Sequence, residues 1–153
     1  MKVMSNMIHL PEMITVKYFD DSIDKLVQTE NGDLIDVRSR IDIELKAGCD
    51  YKIPLGIAMK LSKGYKANLY PRSSTFKNYG VLLVNSVGQI DNSYSGDNDE
   101  WIMHVYATRD AVIHKNDRIG QFEIVPVQPP IIFNEVDHLD GPDRGGFGST
   151  GVQ

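Results

Sequence analysis

The sequence predicts an all-β fold, a barrel or sandwich of short strands. Three observations predict it. RIDIEL (40–45) alternates Ile41, Ile43 and Leu45 with polar residues, the two-residue period of a half-buried strand. Further short runs rich in β-branched and aromatic residues recur along the chain, with turn residues between them. Only PRSSTFKNYG (71–80) carries both a helix-start and a helix-stop signal, so one short helix is expected.

Taken in order, ITVKYF (14–19) is short, apolar and β-branched, and reads as a strand. DSIDKLVQ (21–28) suits a helix or an extended segment equally. IAMKL (57–61) and YKANLY (65–70) flank Ser62-Lys63-Gly64, which predicts a hairpin turn. In the helix, Ser73 or Ser74 is the expected N-cap and Gly80 the stop. Gly88, between the apolar Val87 and Ile90, predicts a second hairpin with Asp91 at its far end. WIMHVYA (101–107) and DRIGQFEIVPV (117–127) read as two more strands. Pro126 has no N–H to donate, which places that end at a sheet edge.

A chain of 153 residues fits one domain and buries roughly 70% of its unfolded surface. Cys49 is the one cysteine, so no internal disulfide can form, and a small core residue in a reducing compartment is expected. MKVMSNMIHLPEM has one lysine and no sustained apolar run, so a signal peptide is not expected. The longest aliphatic run is VLLV (81–84), too short to span a membrane. A cytoplasmic location follows as the expectation. The net charge of −5 argues against binding nucleic-acid backbones, though a few focused arginines can still hold a small polyanion.

Four stretches could carry chemistry. PRSS (71–74) sets Arg72 before Ser73 and Ser74 at a helix start, where free N–H groups and hydroxyls can hold phosphate. The ordinary reading is a serine cap beside a surface arginine. NSVGQIDNSY (85–94) ends its turn on Asp91, where backbone would fix a carboxylate able to orient and deprotonate water. The ordinary reading is a turn aspartate. NDRIGQ (116–121) offers Arg118 and Gln121, as ligands or as exposed strand residues. In GPDRGGFGSTG (141–151), five of eleven residues are glycine. A plain linker needs no aromatic at its centre, whereas a closing flap would use one to stack on a flat base. The four histidines, His9, His104, His114 and His138, show no metal-ligand spacing, and no P-loop motif is present.

Each stretch alone is weak, but their order resembles the trimeric deoxyuridine triphosphatase (dUTPase) family. The matching residues are Pro-Arg-Ser at 71–73, Asn-x-x-Gly-x-Ile-Asp-x-x-Tyr-x-Gly at 85–96, Arg-Ile-x-Gln at 118–121 and the glycine-rich end from Arg144 to Gly151. The family's first motif, usually Ala-Gly-x-Asp-Leu, is replaced by GDLIDVRS (32–39); Asp36 aligns to it, with Asp33 a rival. The polar turn DNDE (97–100) resembles a variant of bacterial and phage members.

The resemblance implies a distorted jelly-roll-like β-barrel over 1–138 and a flexible arm, 139–153, that closes over the nucleotide. It implies hydrolysis of dUTP to dUMP and pyrophosphate, with Asp91 activating the water that attacks the α-phosphorus. Asn85, Gly88 and Ile90 would frame uracil, and Tyr94 would pack under the deoxyribose. Arg72, Ser73, Ser74 and Gln121 would hold phosphates. Arg144, Gly148, Ser149 and Thr150 would close on the γ-phosphate, with Phe147 stacked over the base. Mg²⁺ would sit on the triphosphate and water with no direct protein ligand, Asp36 at most reaching it through water. The implied assembly is a homotrimer with shared sites, and neither nucleic acid nor membrane is an expected partner. Two rival readings stay open: a deoxycytidine triphosphate deaminase of the same fold, and a nucleotide-switched protein that grips a regulatory partner.

Overall fold

The computed structural model describes residues 13–148 and Gly151. Among the described residues, eleven strands and one short helix make the fold nearly all β. Four sheets are formed, and most strands pair with partners distant in sequence. The two-stranded sheets are β1 (Thr15–Tyr18) on β5 (Ile57–Lys60), and β3 (Ile43–Leu45) on β10 (Ala111–Ile113). A three-stranded sheet runs β4 (Asp50–Pro54), β9 (Ile102–Ala107), β7 (Val81–Leu83). The fourth runs β2 (Ile35–Arg38), β11 (Arg118–Pro126), β6 (Tyr65–Pro71), β8 (Gly88–Ile90). Every pairing is antiparallel.

Alternation drives the packing. On β9, Met103, Val105 and Ala107 point inward while Ile102 and Tyr106 face out. On β6, Ala67 and Leu69 are buried between the half-buried Lys66, Asn68 and Tyr70. These faces meet around Trp101 and Phe122, whose rings pack edge to face at 5.0 Å. Gly120 lies where β11 crosses the core: a Cβ there would come within 3.1 Å of Met103 Sδ and of the Tyr70 carbonyl.

Several expectations change. The turn at Ser62–Gly64 exists, with Tyr65 N–H donating to the Ser62 carbonyl at 3.1 Å. It is not a hairpin, because β5 pairs with β1 and β6 with β11 and β8. The turn before Asp91 likewise joins strands of two sheets, β7 going to β9 and β8 to β6. Residues 21–28 form neither helix nor strand, although Ile23 is buried. Cys49 is exposed, not in the core. Pro126 does reach an edge: β11 is flanked by β2 only as far as Phe122, and beyond that β6 is its one neighbour.

The helix forms where expected, as α1 (Thr75–Tyr79). Ser74 sits at its N-cap without a side-chain capping bond, and Gly80 closes it at φ 63°. Beyond β11 no further strand or helix forms among the described residues, and residues 126–148 are exposed. Among the described residues no helix is long and apolar enough to cross a membrane.

Candidate active site

One end of the four-stranded sheet opens into a cleft of about 350 Å³, within the usual range for small-ligand sites. β2, the start of α1 and β11 supply its walls. Asp36, Arg72, Ser73, Arg118 and Gln121 all line it, and so does Asp33, on the 29–34 segment. Three separate stretches of sequence therefore converge, because β2, β11 and β6 are neighbours in that order.

The charges are coupled. Arg72 Nε donates to Asp36 Oδ1 at 2.8 Å, and Arg118 Nη1 donates to Asp36 Oδ2 at 3.4 Å. Arg72 Nη1 also reaches Ser74 Oγ at 3.4 Å, so Ser74 braces the arginine. Gln121 Nε2 donates to the Pro71 carbonyl at 3.2 Å. Asp36, and not Asp33, is thus the carboxylate that meets the two arginines.

Sequence reasoning missed Thr75. Its side chain is buried, and its hydroxyl accepts from Arg72 N–H at 2.8 Å while donating to the Ile119 carbonyl at 3.0 Å. One hydroxyl thereby ties the arginine-bearing turn to the strand that carries Arg118 and Gln121. A Ser-Ser-Thr run gave no sign which member would face inward. Tyr79, at the end of α1, was also missed. Burial first, then its bond to the Asp117 carboxylate, pushes its phenol up to about 12, against a smaller pull from Arg72 and Arg118.

The second group of expected residues gathers elsewhere. Asn85 sits in the turn after β7, accepting from Val87 N–H at 2.6 Å through its carbonyl. Ser86 in that turn has φ 60°. Gly88 presses on β6, where a Cβ would meet Leu69 Cβ at 2.9 Å, so a side chain cannot be accommodated. Ile90 is buried and anchors the strand. β8 is an outer strand, so alternate N–H and C=O groups point away from β6 and stay open to a ligand. Asp91 follows as an exposed carboxylate, and its carbonyl accepts from Tyr94 N–H at 3.0 Å. Asn92 pins the segment by donating to the Ser62 and Tyr65 carbonyls, both at 2.8 Å. Tyr94 is partly exposed, and burial, then Asp99 and Glu100, raise its phenol above the ordinary value.

These two groups do not meet within one chain. Arg72 leans to Asp36 on β2, and Asp91 extends β8 at the opposite edge of the same sheet. Arg72 follows β6, the neighbour of β8, but leaves the far end of that pairing: Ala67 faces Ile90 and Leu69 faces Gly88, so Asp91 falls opposite Lys66, roughly 20 Å from Arg72 along the strands. Arg144, Phe147 and Gly148 lie in the exposed segment after β11, Phe147 fully so. Ser149 and Thr150 lie outside the described residues.

The family model described as dUTPase matches residues 27–151. The SPbeta prophage-derived deoxyuridine 5'-triphosphate nucleotidohydrolase of Bacillus subtilis is 48% identical over 140 residues, covering 92% of this chain and 99% of that protein. The deoxyuridine 5'-triphosphate nucleotidohydrolase of Syntrophotalea carbinolica is 38% identical over 112 residues, 72% of this chain and 75% of its own. The solved structure of the Staphylococcus bacteriophage 80alpha dUTPase with dUPNHPP superposes with a TM-score of 0.71 at 23% identity, covering 93% of this chain and all of that one.

Proposed function

The chain belongs to the dUTPase family, and from that premise we propose how its own residues hydrolyse dUTP to dUMP and pyrophosphate. The observation that carries the reading is the convergence of Arg72, Ser73, Arg118 and Gln121 on one open cleft. A triphosphate entering it would take hydrogen bonds from Arg72, the serine hydroxyls and the Gln121 amide, and the guanidinium fork suits phosphate oxygens. Asp36 holds Arg72 in a set orientation beforehand, so little ordering remains when phosphate binds.

Uracil would lie against the open edge of β8. The edge presents backbone groups, and Gly88 seats the strand so close to Leu69 that the edge is rigid. A rigid backbone edge would read the uracil donors and acceptors, and the tight turn at Asn85–Val87 beside it would leave no space for a 5-methyl group. Cytosine would offer a donor where the edge offers one too, a mismatch that discriminates strongly. Tyr94 would pack under the deoxyribose and Phe147 would stack on the base from the arm formed by 139–153, with Arg144, Gly148, Ser149 and Thr150 closing on the γ-phosphate.

The Asp91 carboxylate would take the proton from the attacking water. A new oxygen–phosphorus bond forms at the α-phosphorus as the bond to the bridging α,β-oxygen breaks, and pyrophosphate leaves with that electron pair. Both Asp36 oxygens already face arginines, which suits a carboxylate that reaches a cation only through water. Mg²⁺ held by the three phosphates would neutralise the charge that builds on the leaving group.

Asp91 and Arg72 are too far apart to act on one phosphate from the same chain. The site is therefore shared: one copy supplies the phosphate cleft and a neighbour supplies β8 and Asp91. A closed homotrimer satisfies this with one kind of contact repeated around a threefold axis. The exposed run Ile131, Ile132 and Phe133 after Pro129-Pro130 supports a segment that packs on a neighbouring copy.

The test is pyrophosphate release with Mg²⁺ from dUTP, dTTP, dCTP and UTP, with ammonia followed in the dCTP reaction. Release from dUTP alone is expected. Ammonia from dCTP, or no discrimination among pyrimidines, would overturn the assignment of the uracil edge.

A further inference from the structure

The segment between Asp91 and Trp101 contains a polar turn in which the carboxylates of Asp97, Asp99 and Glu100 are all engaged. Gly96 N–H donates to Asp99 Oδ2 at 2.7 Å, and Asp99 N–H returns a bond to the Gly96 carbonyl at 3.1 Å. Lys17 Nζ donates to the Asp97 carbonyl at 2.8 Å and lies 2.9 Å from its carboxylate. Glu100 is the deepest of these side chains, 14% exposed. Its Oε2 accepts from Arg40 Nη2 at 2.9 Å, its Oε1 accepts from Gly56 N–H at 3.0 Å, and Arg40 Nε lies 2.8 Å from Oε1.

The next residue, Trp101, is fully buried. Its N–H donates to the Ile57 carbonyl at 2.8 Å, and its carbonyl accepts from Leu55 N–H at 2.9 Å. Glu100 is therefore clamped through both its side chain and the peptide that follows. Its one free backbone acceptor, the carbonyl, receives the Tyr94 hydroxyl at 2.9 Å. At its other end, Tyr94 is fixed by its N–H on the Asp91 carbonyl. The ring is strung between the residue assigned as the base and a carbonyl that cannot move.

We propose that Glu100 is a positioning residue for sugar discrimination: clamped by Arg40 and Gly56, it fixes the carbonyl that holds the Tyr94 hydroxyl, and so sets the ring plane that excludes a ribose 2′-hydroxyl. The proposal rests on Tyr94 packing under the deoxyribose and deepens that reading. An aromatic ring free to tilt by a few degrees can yield the space of one oxygen atom. A ring tethered at its hydroxyl cannot, because tilting would break the bond to a carbonyl that does not follow. The turn 96–99 serves the same end by keeping Glu100 in register with Tyr94.

The experiment compares kcat/KM for dUTP and for UTP in the wild type, Glu100→Gln, Glu100→Ala and Tyr94→Phe. Tyr94→Phe removes only the tether, at a partly exposed site that does not endanger folding. The dUTP-to-UTP ratio is expected to fall roughly five- to tenfold in Tyr94→Phe and Glu100→Ala, the range one tether bond can supply. Glu100→Gln, which keeps an acceptor for Gly56 N–H, should fall less. Combining Glu100→Ala with Tyr94→Phe should add nothing, since both cut the same link. A ratio unchanged in Tyr94→Phe, or parallel losses on both substrates in Glu100→Ala, would overturn the proposal and leave Glu100 a stabilising residue. A wild type that turns over UTP as well as dUTP would instead sink the placement of Tyr94 at the sugar, and the proposal with it.

Discussion

Arg72 Nε rests 2.8 Å from Asp36 Oδ1, so the arginine expected to hold phosphate is oriented by a carboxylate before any nucleotide arrives. Arg118 approaches the other oxygen at 3.4 Å. Replacing Asp36 by alanine should leave the fold intact, since the pair is only partly buried, and should release Arg72 into many rotamers. The expected loss in kcat/KM for dUTP is roughly tenfold. Because the direct partners of Asp36 are arginines, raising Mg²⁺ should not restore activity. A full recovery at high Mg²⁺ would show that the carboxylate serves the ion instead.

Thr75 joins the two walls of the cleft through one buried hydroxyl. Thr75→Val keeps the shape and loses both bonds, leaving Arg72 N–H and the Ile119 carbonyl without that partner. Stability should drop by about 1–3 kcal/mol, read by urea unfolding. Thr75→Ser should recover most of it and most of the dUTP affinity. Equal losses in both variants would mean that the methyl group, and not the hydroxyl, matters.

Tyr79 is expected to make the fold less stable in alkali. Its phenol rises from 10.0 to about 12, chiefly by burial and then by the Asp117 carboxylate. The folded state thus holds this proton more tightly than the unfolded chain. Its contribution to stability is whole below pH 10 and is lost as pH climbs toward about 12. Urea unfolding across this window should show a falling stability that is flatter in Tyr79→Phe. The same slope in both proteins would remove Tyr79 from the account.

Removing residues 143–153 should cost turnover and not folding. From Pro126 to Gly148 the chain is exposed, and Phe147 is fully exposed. The melting temperature should stay within about 2 °C, while kcat/KM should fall by at least ~10²-fold, the loss expected on removing the ring proposed to stack on the base and the donors proposed for the γ-phosphate. A large drop in melting temperature would place the arm in the core.

What was legible in the sequence was local chemistry. Arg72, Ser73 and Gln121 stand out as candidates by their neighbours and spacings, and they line one cleft; WIMHVYA forms β9, whereas the alternation in 40–45 becomes strand only over Ile43–Leu45. What was not legible depends on contacts far apart in the chain. The turns at Ser62–Gly64 and before Asp91 were real, but nearness in sequence suggested hairpins, whereas burial of β5 and β7 against other strands sends the flanking segments to different sheets. Strands of three to five residues such as β4 and β10 are too short to show a period, and only their partners define them. Cys49 was misplaced because a single residue has no periodicity to read. Thr75 and Glu100 matter through bonds to Ile119, Arg40 and Gly56, none of which sequence spacing brings to notice.

If, as proposed, Asp91 of one copy serves the Arg72 cleft of another, mixing two inactive variants should restore activity. Asp91→Asn alone should bind a non-hydrolysable dUTP analogue yet turn over at least ~10²-fold more slowly, and Arg72→Ala should be comparably inactive. Co-expressing the two should rebuild intact sites wherever a copy with Arg72 meets a neighbour with Asp91, roughly one site in four for random closed trimers. Recovery of about a quarter of wild-type activity is the predicted result. No recovery from a mixture shown to contain hybrid oligomers would contradict the account, because both residues would then act within one chain.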